Sequence, residues 1–109
     1  FTFVLTGQLD ISKTYSWDEF LEFAGYFGSL LIGDVGVEYK GIIVEGKTAI
    51  VFAEGRMEGI GGKYENDYAI KYTLNDDGKI IEQKEYLSDL LLAQKLYDQD
   101  LCGKKKTIE

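Results

Sequence analysis

Hydrophobic residues change their period twice along the chain, and the changes mark the elements. The opening "FTFVLT" alternates Phe1, Phe3 and Leu5 with Thr2, Val4 and Thr6, which is the period of a strand. From Trp17 to Leu31 the spacing lengthens: Phe20, Phe23, Ala24, Phe27, Leu30 and Leu31 recur at three- and four-residue steps, opposite Asp18, Glu19 and Glu22. That stripe predicts an amphipathic helix. Ser16 stands three residues before Glu19, the S-x-x-E spacing in which each side chain satisfies the other's backbone amide at a helix start. From about Val35 the period of two returns over Val35 to Val44, Lys47 to Glu58, Lys63 to Leu74 and Lys79 to Leu87. The connections Glu45-Gly46, "GIGG" and "NDDG" are short turn formers, so these strands are expected to run antiparallel. The stretch "SDLLLAQKLYDQDL" predicts a short terminal helix with Leu91, Leu92, Leu96 and Leu101 available for burial. Together these make an α+β domain, a helix with a four-strand meander.

Pairing the strands across each turn sorts their side chains by face. Across "NDDG", Leu74 is set opposite Lys79, Tyr72 opposite Ile81, Ile70 opposite Gln83, Tyr68 opposite Glu85 and Asn66 opposite Leu87. One face then carries these apolar and aromatic residues, with Asn66, Gln83 and Glu85 as polar intrusions. The other carries Glu65, Asp67, Lys71, Glu82 and Lys84 and is the wetter one. A carboxylate on a half-buried apolar face has its pKa raised by desolvation, toward the range where it exchanges protons near neutrality. Glu85 is therefore the leading candidate for chemistry, against the plainer reading that it reaches solvent at the strand end or accepts a hydrogen bond from Tyr68. Across Glu45-Gly46, Val35, Val37, Tyr39, Ile43, Ile50 and Phe52 share one side with Glu54 and Arg56. If that side is core, Glu54 and Arg56 join Glu85 in an acid–arginine–acid group. This needs a one-residue bulge at "GIGG"; simple pairing instead sets Arg56 beside Glu65 and Glu54 beside Asp67 on the outer face. On the helix, Phe23, Tyr26 and Phe27 are the candidate wall of an apolar cavity, against ordinary core packing.

Composition narrows the classes. The 109 residues suffice for one domain, and 45% hydrophobic with 14% aromatic content suffices for a core. No segment is long and apolar enough to span a bilayer. Twelve basic residues against 19 acidic ones give a net charge of -7, which repels a phosphate backbone, so no nucleic-acid partner is expected. There is 1 Cys and no His, which removes an internal disulfide, the commonest general base and the commonest zinc ligand. With no histidine in the chain to activate it, Cys102 reads as an ordinary thiol. With no secretory leader in the sequence, a cytoplasmic location is expected. Phe1 falls within a strand pattern, so the chain is expected to begin earlier, and the absence of Pro leaves no rigid linker to divide it. "GIGGKY" lacks the spacing and following helix of a phosphate loop, and "NDDG" lacks the distal Glu of a calcium loop. The "GKKK" tail reads as a solvated end. No metal, nucleotide, flavin or other cofactor is expected.

Strand, aromatic helix and meander ending "ENDYAIKYTLNDDGKIIEQKEYL" resemble the SnoaL-like branch of the nuclear transport factor 2-like superfamily, which includes the ketosteroid isomerases. The resemblance is most specific between Tyr64 and Leu87 and extends from Phe1 to about Leu96. It implies a cone in which a curved antiparallel or mixed sheet wraps helices around a deep apolar pocket, and a homodimer formed through the outer sheet face. The family's N-terminal helices have no counterpart in residues 1–109, which implies truncation or an open pocket. Its ketosteroid isomerases would place acids near Thr6 or Gly7 and at Ile70; neither acid is present. Its limonene-type epoxide hydrolases use an Asp-Arg-Asp group whose last acid resembles Glu85 before Tyr86, while Glu54 and Arg56 match the rest poorly.

The expected function is a small-molecule pocket binding an apolar, oxygen-bearing ligand through Asn66, Tyr68, Gln83 and Glu85, with Ile70, Tyr72, Phe23 and Phe27 around it. The alternatives are a cofactor-free hydrolase or isomerase with Glu85 as base and Arg56 and Glu54 assisting, and a non-catalytic dimeric interaction module.

Overall fold

Ser16 and Glu19 form the reciprocal cap that their spacing predicts: the Ser16 amide donates to Glu19 Oε1 at 3.0 Å and the Glu19 amide to Ser16 Oγ at 3.3 Å. In the computed structural model of the chain, which describes residues 1–96, this cap starts a helix that ends two residues short of the predicted Leu31. The elements are β1 (Thr2–Leu5), β2 (Thr14–Ser16), α1 (Trp17–Ser29), β3 (Gly36–Glu45), β4 (Thr48–Gly59), β5 (Gly62–Leu74), β6 (Ile80–Tyr86) and α2 (Asp89–Leu91), followed by a π-helical turn (Leu92–Leu96). The expected α+β class holds, and the six strands form one mixed, open sheet in the order β2-β1-β6-β5-β4-β3.

Three features depart from the local reading. The connection between the opening strand and the helix contains β2, which pairs antiparallel with β1, Phe3 opposite Tyr15. β1 then pairs parallel with β6, setting Phe3 beside Gln83 and Leu5 beside Glu85, and so seats the start of the chain against its last strand. The third departure is register. β5 and β6 pair with Tyr72 opposite Gln83 and Ile70 opposite Glu85, two residues from the expected alignment, because an irregularity beside Leu74 widens the turn. A slip of two preserves the face of every side chain, so the inward set survives the wrong partners.

The bulge expected at "GIGG" lies elsewhere. β4 and β5 pair without interruption from Gly59 opposite Gly62 to Thr48 opposite Thr73. The extra residue is Lys40, between Tyr39 opposite Ala53 and Gly41 opposite Phe52. Val37 and Tyr39 therefore share a face with Ala53 and Gly55, while Ile43, Ile50 and Phe52 share the opposite one with Glu54 and Arg56. The "GIGG" turn serves as an anchor: Ile60 N–H bonds the Leu30 carbonyl at 3.1 Å and Gly61 N–H the Lys95 carbonyl at 2.8 Å, tying the helix end and the chain's last described turn to the hairpin. These amides are committed to backbone carbonyls, and the turn needs glycine at Gly62, whose φ is +117°.

Phe3, Leu5, Tyr15, Leu30, Met57, Tyr64 and Leu92 form the buried core. Phe3 is fully buried and its ring lies 4.6 Å from Phe20 and 5.7 Å from Phe23, centroid to centroid, so α1 sits on the inner face of β1. Of the expected terminal helix, Leu92 is buried and Leu91 half-buried; the Leu96 side chain, Leu101 and Cys102 lie outside the described set. No helix among the described residues is long and apolar enough to cross a membrane.

Candidate functional site

Residues from both flanks of the sheet, Phe3 and Leu5 on β1 and Val37 and Tyr39 on β3, face one hollow together with Phe20, Phe23 and Phe27 of α1. For strands so far apart in sheet order to share it, the sheet must bow around the helix. The cavity has a volume of about 350 Å³ and a mostly apolar wall. Its lining includes Glu85, Gln83, Tyr68, Ile70 and Tyr72, nominated from strand alternation, and Phe23 and Phe27, nominated from the helical stripe. Tyr26, nominated with them, does not line it and is 55% exposed.

Glu85 is positioned by its backbone. The Thr6 amide and hydroxyl both donate to the Glu85 carbonyl, at 3.2 and 2.7 Å, clamping the end of β6 to the segment after β1. Its side chain points from between Leu5 and Ile70, its neighbours on the two flanking strands. Burial in these surroundings pushes the carboxyl up to about 7, against a weak opposing hydrogen bond from Gln83 Nε2 at 3.4 Å. Among the described residues no cation offsets this burial. Burial likewise raises the hydroxyls of Tyr68 and Tyr72, with the Glu85 charge adding to both. At neutral pH the tyrosines are neutral and Glu85 is poised between its two forms.

The Glu54–Arg56 part of the proposed acid–arginine–acid group is corrected by the fold. With β4 and β5 in plain register, Arg56 stands opposite Glu65 and Glu54 opposite Asp67 on the outer face. Arg56 Nη2 lies 3.5 Å from Glu54 and 3.6 Å from Glu38, and its side chain is 63% exposed. Pairs this exposed contribute little to stability. Glu54, Arg56, Glu65 and Asp67 help line a second, polar depression of about 500 Å³, shared with Gly55, Asn66, Ser88 and Leu91 and separate from the cavity that Glu85 lines. Its charged lining is three carboxylates, Glu54, Glu65 and Asp67, and the Arg56 guanidinium, which pairs with Glu54.

Asn66 also departs from its expected role. It is 4% exposed, but it bonds protein rather than facing the cavity. Its Oδ1 accepts from the Ser88 amide at 3.1 Å, and its Nδ2 donates to the Ser88 carbonyl at 2.9 Å and to Tyr64 Oη at 3.0 Å. β6 stops pairing with β5 at Tyr86 opposite Ala69, so the Asn66 amide stands in for a missing ladder partner and holds Ser88 against β5. Tyr64, fully buried, bonds the Tyr68 hydroxyl at 2.7 Å. The Tyr68 ring is held close to β4 because residue 55 is glycine: a Cβ there would lie 2.9 Å from Tyr68 Cε2.

Sequence reasoning missed Phe3 and Leu5 as cavity residues, since their places follow from a parallel pairing that no turn announces. It also missed Tyr64, whose inward direction was legible from its two-residue spacing to Asn66 and Tyr68.

No family model matches the chain, and no curated protein does. Solved structures match it at low identity. TerC co-crystallised with polyporic acid is 17% identical with a TM-score of 0.72, covering 88% of this chain and 76% of that one. An NTF2-like protein of unknown function from Burkholderia pseudomallei is 10% identical with a TM-score of 0.75, covering 87% and 75%. A SnoaL-like polyketide cyclase, so described as putative, from a Jannaschia species is 15% identical with a TM-score of 0.68, covering 92% and 72%. The curved six-strand sheet, the helix in its concavity and these matches agree that the chain has the nuclear transport factor 2-like fold, in the form shared with SnoaL-like proteins.

Proposed function

We propose that the concave cavity binds a small, largely apolar organic molecule bearing oxygen functions. Phe23, Phe27 and Ile70 supply walls, and Tyr68, Tyr72, Gln83 and Glu85 supply the polar contacts. The observation that carries this reading is Glu85: a half-buried carboxyl with no cation beside it among the described residues, in a cavity of about 350 Å³ with a mostly apolar wall. A few convergent polar groups in an apolar hollow are the usual composition of a small-molecule site. A perturbed carboxyl inside one strengthens the case. The similar structures add support of a general kind, since TerC was crystallised with polyporic acid and another match is a pinacolase from Penicillium brevicompactum.

A second reading, a cofactor-free hydrolase or isomerase, is favoured by the carboxyl near 7, which suits a group that takes and returns a proton at neutral pH. Glu85 is then the general base. Glu54 and Arg56 have no part in it, since they occupy the opposite face. The convex face, with Ile43, Phe52 and Tyr86 exposed by 59%, 39% and 44%, is the surface on which we place a homodimer.

One experiment addresses these points together: native mass spectrometry of the purified protein, followed by a thermal-shift screen of small organic molecules on wild type and Glu85→Gln. A dimer with a co-purified apolar adduct, or shifts lost in Glu85→Gln, is the expected result. A clean species with no shift from any compound contradicts the pocket reading. Turnover of any hit that survives Glu85→Gln removes Glu85 from catalysis.

A further inference from the structure

Asn66, Tyr64 and Tyr68 form a chain of hydrogen bonds that runs from a fixed backbone to the cavity wall, and its direction is set by chemistry. The Ser88 amide can only donate, so the Asn66 atom it bonds at 3.1 Å is the carbonyl oxygen Oδ1. The other atom is therefore the NH₂ group, whose two protons go to the Ser88 carbonyl and to Tyr64 Oη. Tyr64 Oη thus accepts from Asn66. Its own proton must go elsewhere. Tyr64 is 0% exposed, and among the described residues the one acceptor recorded beside its hydroxyl is Tyr68 Oη at 2.7 Å. If Tyr68 donated to Tyr64 instead, the Tyr64 proton would be buried without an acceptor, the more costly arrangement.

We infer that the relay runs from Asn66 through Tyr64 to Tyr68, and that it turns the Tyr68 hydroxyl proton into the cavity as a donor to a carbonyl-type acceptor oxygen on the ligand. Tyr68 lines the cavity and Tyr64 does not, so Tyr68 makes the contact while Tyr64 and Asn66 are positioning residues. Each bond in such a chain polarises the next, which makes the terminal O–H a better donor than an isolated phenol. The glycine at 55 fixes where that donor sits by letting the ring pack close to the backbone of β4. Glu85 lines the same hollow, and when protonated it too presents an O–H. With Glu85 protonated, the pair selects oxygens that accept, such as a ketone or an enone, over groups that only donate. This rests on the cavity reading above and specifies the ligand class it leaves open.

The test uses two probes of nearly one shape: 2-acetylnaphthalene and 2-isopropenylnaphthalene, which carries a methylene in place of the carbonyl oxygen. Their affinities are measured by NMR titration on wild type, Tyr68→Phe and Tyr64→Phe, and read as the ketone-to-alkene ratio. Wild type is expected to show a ratio about fivefold or more above that of Tyr68→Phe, the worth of one hydrogen bond. Tyr64→Phe is expected to fall between them. Alkene binding confirms that each variant keeps its cavity, and Tyr68→Phe alone decides the matter if Tyr64→Phe does not fold. Equal ratios in wild type and Tyr68→Phe, with the alkene bound, overturn the donor but leave the cavity reading standing. A ratio that rises in Tyr64→Phe shows the opposite direction, with the Tyr68 proton released by losing its acceptor. Binding of neither probe to wild type sinks the cavity reading and this inference together.

Discussion

The two faces of the sheet both carry carboxyl groups and treat them in opposite ways. On the convex face, Glu38, Glu54, Glu65 and Asp67 stand in or near solvent beside Lys40, Arg56 and Lys63. There, a hydrogen bond from Lys40, with its charge, holds the Glu38 carboxyl below its usual range. On the concave face, Glu85 stands between Leu5 and Ile70 with only Gln83 recorded as a hydrogen-bond partner, and burial drives its carboxyl up to about 7. The difference lies in which side of the pleat the residue occupies. Charge on the convex face is a surface property, while Glu85 on the concave face lines the cavity.

If that contrast is right, truncation should be felt in proportion to the face. The largest effect is expected for Phe3→Ala, which removes a fully buried ring from the junction of β1 and α1: about 3–5 kcal/mol of stability in a urea titration. A loss under 1 kcal/mol would mean that the parallel β1–β6 pairing is not what closes the cavity.

The next effect is in pH. Because the folded state raises the Glu85 carboxyl from 4.5 to about 7, folding favours the protonated form. The stability this group contributes is complete below about 4.5 and is lost as pH rises through 7. Wild type should therefore lose about 2 kcal/mol between pH 5 and pH 8 through this group. Glu85→Gln should remove that part of the slope. A variant whose pH profile overlays that of wild type would erase the distinction between the faces.

Arg56→Ala should show the smallest effect, within about 0.5 kcal/mol, because its ion pairs are solvent-exposed, and it should leave binding in the cavity unchanged. A loss of ligand affinity in Arg56→Ala would mean that the convex acids reach the site after all.

The inward direction of Glu85, Gln83, Tyr68, Ile70 and Tyr72 was legible because a strand repeats every two residues, and even a misjudged partner two positions away keeps the face. The opposite outcome for Glu54 and Arg56 has the same origin. A bulge shifts faces by one, and its position at Lys40 rather than at "GIGG" reverses which residues join Val37 and Tyr39. Glycines made the second site the natural expectation, but those glycines serve a turn whose amides bind the helix end and the Lys95 carbonyl. The parallel β1–β6 pairing and the Asn66–Ser88 bonds, which span 22 positions, arise from contacts no local pattern encodes. Asn66 was rightly read as a polar group on the inner face, and only the structure distinguishes a ligand contact from a bracket for the chain.

The most direct test of the account is a ¹³C NMR titration of the Glu85 side-chain carboxyl in the ligand-free protein, assigned by comparison with Glu85→Gln. A midpoint near 7 is predicted. A midpoint near 4.5 would contradict it, because Glu85 would then be one more solvated carboxylate and the cavity would hold no group poised to give or take a proton.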